Sequence, residues 1–115
     1  MAGYSAAKFT LQNLGGTPPM PDTIPLPEGL ERELLIVLME ECAEVQQQVS
    51  KILRFGAHVT GTDQVRPNSE LLAAEVGDLT HMIQRCIEIG LFSAKDVETA
   101  AEEKRTKLNR YLRFG

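Results

Sequence analysis

Apolar residues recur at helical spacing in three separate stretches of this chain. Leu30, Leu34, Leu38, Cys42, Val45, Val49 and Ile52 follow one another at steps of three and four, and Pro27 suits the first turn of such a helix. The spacing predicts a first helix over about 28–54. Leu71, Leu72, Leu79, Met82, Cys86 and Ile89 form a second stripe that stops at Gly90, with Ser69 as its expected cap. Ser93 and Asp96 are spaced as a capping pair for a third helix, which carries Val97, Ala100, Ala101, Leu108 and Tyr111 to about Leu112. Gly56, Val59, Thr60, Gly61 and Pro67 fall between the first two stripes and mark a connection longer than two helices need. Ahead of the first helix stand Gly15, Gly16, Pro18, Pro19, Pro21 and Pro25, which forbid a long helix and leave no strand alternation. The expected architecture is all-α: an irregular arm over 1–27, then an antiparallel helical bundle over 28–115.

Charged positions that break this pattern carry the chemistry. Glu41 and Glu44 share one flank of the first helix, about 60° and 120° from the centre of its stripe, with Gln48 and Lys51 continuing the row. Alone, such a pair is an ordinary solvated face. On the second helix, however, Glu75 falls in the middle of the stripe and Asp78 on its flank. An unpaired ionised carboxylate costs several kcal/mol to bury, so Glu75 must be protonated, paired with a cation or bound to a metal. Lys104 in the third stripe offers a scaffold explanation, a buried Glu75–Lys104 ion pair. Four carboxylates on two consecutive helices exceed what one lysine balances. Oxygen ligands without paired His or Cys disfavour zinc and suit Mg²⁺ or Mn²⁺. Mg²⁺ takes few carboxylates and completes its shell with water and substrate phosphates, so an open acidic cluster implies a polyphosphate ligand.

Composition narrows the partners. The 115 residues, 43% hydrophobic and 24% charged, suit one globular domain. A net charge of -4 without a Lys/Arg-rich block argues against nucleic acid. No run approaches the ~20 apolar residues of a membrane span, and the start of the chain lacks the charged and apolar regions of a signal peptide. Cys42 and Cys86 lie within helical patterns and read as buried thiols in a reducing compartment, which makes the cytoplasm the expected location. Roughly 85 foldable residues bury a small share of their surface, so self-association is expected.

Glu40-Glu41-Cys-Ala-Glu44, followed after thirty residues by Glu75-Val-Gly-Asp78, resembles the E-E-x-x-E and E-x-x-D motifs of the MazG-like all-α nucleoside triphosphate pyrophosphohydrolases. The likeness covers about residues 30–112 and includes a basic last helix, Lys104-Arg-Thr-Lys107-Leu-Asn-Arg110. The resemblance implies a homodimer or homotetramer with Mg²⁺ held by Glu41, Glu44, Glu75 and Asp78. It also implies that a metal-activated water releases pyrophosphate from (deoxy)nucleoside triphosphates, often to clear unwanted nucleotides. Lys104 and Lys107 match the family's phosphate-facing positions. Glu44, the most peripheral carboxylate, is the candidate general base, and Glu41 is the second catalytic candidate. Gln48 and Arg54 are further candidate substrate contacts, although Arg54, like His58 and Arg66, also reads as a solvated residue by the long loop. His81 is expected to be exposed. The arm and the 57–68 loop have no counterpart in the motif, which leaves base and sugar preference open. The phosphoribosyl-ATP pyrophosphohydrolases share the acidic helices, and a non-enzymatic helical interaction module is the alternative from another class. The module accounts for Glu41 and Glu44 but not for a carboxylate at the centre of a core stripe.

Overall fold

A computed structural model of the chain describes residues 24–114. These form three helices, α1 (Gly29–Phe55), α2 (Asn68–Glu88) and α3 (Ala94–Tyr111), with no strand among the described residues. Most of the expected arm, residues 1–23, lies outside the described part, while Ile24–Glu28 are exposed and non-helical. No described helix is long and apolar enough to cross a membrane.

Local chemistry sets the helix ends. Gly56 stops α1 at φ 98°, a left-handed value that a Cβ disfavours, while its N–H still reaches Ile52 O at 2.8 Å. Gly90, at φ 79°, closes α2: its N–H bonds Ile87 O and the Leu91 N–H reaches back to Cys86 O at 3.0 Å. Ser93 Oγ accepts from the Asp96 N–H at 3.0 Å, the capping bond expected for α3.

α1 and α2 pack along each other as an antiparallel hairpin. The end of α1 meets the start of α2 at Gly56 and Asn68, whereas mid-helix Glu41 meets Glu75 and Asp78, so the numbers run in opposite senses. The covered positions on α1 include Leu34, Leu38, Glu41, Val45, Gln48 and Ile52; those on α2 include Asn68, Leu72, Glu75, Leu79, Met82 and Cys86. Only Leu34, Met82 and Cys86 among the described apolar side chains are buried.

Three expectations require correction. Cys86 is buried as expected, but Cys42 is exposed. The face of α1 that meets α2 is rotated away from Cys42 and Val49 and is centred on the side that carries Glu41 and Gln48. Ser69 does not cap α2. The helix begins at Asn68 with Pro67 before it, and the Ser69 N–H is already taken by Ala57 O at 2.8 Å, so no side-chain cap is needed there. Lys104 is not in a core, because every residue of α3 is exposed within this chain.

Asn68 ties the long connection to the hairpin. It is 2% exposed, its Nδ2 donates to Gly56 O at 3.0 Å and its Oδ1 accepts from Gln64 Nε2 at 3.0 Å. Its own backbone N–H bonds Val59 O at 3.0 Å. Gln64 Nε2 also donates to Arg66 O, and Gln64 Oε1 accepts from Lys51 Nζ at 2.8 Å, which closes a belt from α1 through the loop to α2. Asn68→Ala removes both side-chain bonds and strands the Gly56 carbonyl. Its expected cost is about 1–3 kcal/mol, the usual penalty for an unsatisfied buried group. Urea unfolding of the two proteins measures it, and a change within error would show that the belt is not needed to hold the loop.

Candidate metal centre

The hairpin brings Glu41 of α1 together with Glu75 and Asp78 of α2. One carboxylate oxygen from each lies within 4.8 Å of the others. Glu75 and Asp78 are one helical turn apart, which sends both toward the same stretch of α1. Glu41 and Glu75 are half-buried and Asp78 is exposed, so the cluster is closed beneath by the helices and open on one side. Among the described residues the ion pairs are Arg85–Glu88 and Arg105–Glu102, both away from this cluster. The Glu75–Lys104 pair that would have made Glu75 a scaffold residue is therefore not formed within the chain.

Two oxygens in this face are buried without a hydrogen-bond partner, Glu41 Oε2 and Gln48 Oε1. They are seven residues apart and so share one side of α1. Burial, and then the negative charges of Asp78, Glu75, Glu44 and Glu40, hold the Glu41 carboxyl above its ordinary value of 4.5. An all-oxygen donor set with an orphaned buried carboxylate oxygen fits a hard divalent cation.

Without a cation the raised value has a definite consequence. The folded protein binds more protons at Glu41 than the unfolded chain does. The stability this group contributes is fully present below pH 4.5 and is lost as the pH rises through the raised folded value. The metal-free melting temperature is therefore expected to fall across that window, and Glu41→Gln is expected to flatten the fall. Melts at a series of pH values in chelator check this; an identical slope in the variant would contradict it.

The remaining sequence candidates divide clearly. Glu44 is exposed and lies outside the three-carboxylate group, although its charge reaches Glu41. Gln48 lies in the covered face beside the cluster. Arg54 is exposed near the end of α1, with its guanidinium 5.1 Å from the ring of Phe55, and the hairpin does not direct it toward the carboxylates. Lys104 and Lys107 sit on α3, exposed and unpaired with the cluster. His58, Arg66 and His81 are exposed. The belt of Lys51, Gln64 and Asn68 was not legible as a unit. Its one sequence signal was Lys51 continuing the row of Glu41, Glu44 and Gln48.

Comparison of the chain with models of known protein families, with curated proteins and with solved structures finds no match.

Proposed function

We propose that this protein is a Mg²⁺-dependent hydrolase that cleaves (deoxy)nucleoside triphosphates to monophosphate and pyrophosphate, with Mn²⁺ as a substitute. In this reading it assembles as a homodimer or homotetramer of the all-α pyrophosphohydrolase type and removes unwanted nucleotides. One observation carries the proposal: three carboxylates from two helices converge around a buried Glu41 oxygen that has no protein partner. A solvated acidic surface has no reason to bury that atom.

Glu41, Glu75 and Asp78 would hold the cation, with Glu44 at the edge of the set. A bound divalent cation supplies charge neutralisation at the phosphates and a water of lowered pKa. Glu44, exposed and outside the converging three, is free to accept the proton from an attacking water. Glu75 and Glu41, placed side by side by the hairpin, would hold the cation and thereby keep the reacting phosphate near that base. Lys104 and Lys107 would reach phosphate from another copy of the chain, since their own helix makes no ion pair with the cluster. The chain has no Gly-x-x-x-x-Gly-Lys-Ser/Thr loop, the element that cradles terminal phosphates for attack there.

Product analysis tests the reading. Incubation with a panel of canonical and modified triphosphates plus Mg²⁺ is expected to release pyrophosphate and nucleoside monophosphate. Orthophosphate with nucleoside diphosphate as the main products would refute the cleavage position. Absence of both, together with absent Mg²⁺ binding, would favour a helical interaction module.

A further inference from the structure

Lys51 is a half-buried cation whose ammonium is fixed by a neutral group. Its Nζ donates to Gln64 Oε1 at 2.8 Å, and among the described residues it has no carboxylate partner, in a chain where acids outnumber bases by four. An amide accepts one of the three ammonium hydrogens and neutralises none of the charge. The tether is itself built. Gln64 is anchored to Asn68 Oδ1 and Arg66 O, and a Cβ at Gly61 would come within 2.8 Å of Gln64 Oε1. Gly61 therefore leaves the space in which the amide meets the amine.

The position of Lys51 gives this arrangement a direction. Glu41, Glu44, Gln48 and Lys51 descend one side of α1 turn by turn, and α2 runs back alongside from Asn68 to Asp78. Carboxylates therefore occupy one end of the strip, the unpartnered Gln48 Oε1 lies between, and an uncompensated ammonium lies at the loop end. Ten residues separate Glu41 of the cluster from Lys51, an axial rise of about 15 Å, and lysine side chains lean toward the helix N-terminus, which shortens that interval. One phosphate seated at the carboxylate end does not span that interval, whereas a chain of phosphates approaches it. We infer that Lys51, positioned by Gln64, binds the phosphate of a polyphosphate chain that lies farthest from the carboxylate cluster. This selects longer polyphosphates over shorter ones, and it rests on the metal-dependent reading of that cluster.

The test uses the full chain as wild type, Lys51→Met, Lys51→Arg and Gln64→Leu. Mn²⁺ binding is measured first, then the affinity for inorganic tripolyphosphate and for pyrophosphate at saturating Mn²⁺, by calorimetry. Mn²⁺ affinity is expected to be alike in all four proteins. Lys51→Met is expected to weaken tripolyphosphate binding about 10-fold or more, the usual scale for a lost charge-assisted hydrogen bond, while pyrophosphate binding changes little. Lys51→Arg should recover part of the loss, and Gln64→Leu should show a smaller loss with the same length dependence. A variant that melts lower yet binds tripolyphosphate as the wild type does would make Lys51 a loop tether and overturn the inference alone, as would equal losses for both anions. Wild-type protein that binds no Mn²⁺ would overturn the metal reading and this inference with it.

Discussion

Replacing Glu75 with glutamine is expected to abolish Mg²⁺-induced stabilisation and to lower pyrophosphate release by ~100-fold or more, since even residues behind a ligand cost 10–100-fold in metal sites. The same change should leave the metal-free protein equally or more stable at neutral pH. Glutamine keeps the shape of the side chain but removes one of the charges that crowd Glu41. Had Glu75 been paired with Lys104, the variant would instead lose on the order of 3–5 kcal/mol with or without metal. No such pair forms within the chain. Thermal melts of both proteins, with Mg²⁺ and with chelator, separate the outcomes. A large metal-independent loss of stability would assign Glu75 to the scaffold.

A second large effect is expected on α3. Most helical stability in proteins comes from packing an apolar face, yet the 18-residue α3 is exposed throughout and carries Val97, Leu108 and Tyr111. α1 also leaves Ile36, Met39, Val49 and Leu53 exposed, and Leu26, Pro27, Leu35, Ile36 and Met39 line an apolar hollow of about 390 Å³ together with Arg32. With so few apolar side chains buried among the described residues, a second copy is expected to supply the missing cover. Burying a Val or Leu side chain contributes about 1.5–3 kcal/mol, so Val97→Asp with Leu108→Asp should weaken self-association by ~100-fold or more. Light scattering over a concentration series is expected to show an assembled wild type and a monomeric, less stable variant. A wild type that is monomeric at micromolar concentration would sink the idea.

Local patterning was enough to place the helices. The three stripes, the Ser93 cap and the stops at Gly56 and Gly90 are local, set by side-chain periodicity and by the freedom of glycine, and they landed within one or two residues of the observed ends. It also singled out Glu75, because a carboxylate in an apolar stripe contradicts the pattern around it whatever the partner. Which side of α1 faces α2 was a different kind of question. α1 carries apolar residues over a wide arc, so the stripe alone did not distinguish the face for α2 from the face left exposed. That choice moved Glu41 from a flank into the interface and Cys42 out of it. The packing of α1 on α2 is what makes Glu41, Glu75 and Asp78 converge while Glu44 stands aside, and α3 keeps Lys104 unpaired with Glu75. The Lys51, Gln64 and Asn68 belt likewise joins residues up to seventeen positions apart through one buried amide. Periodicity reports which face of a segment avoids water; it holds no information on which other segment meets that face, and a site built between helices depends on that meeting.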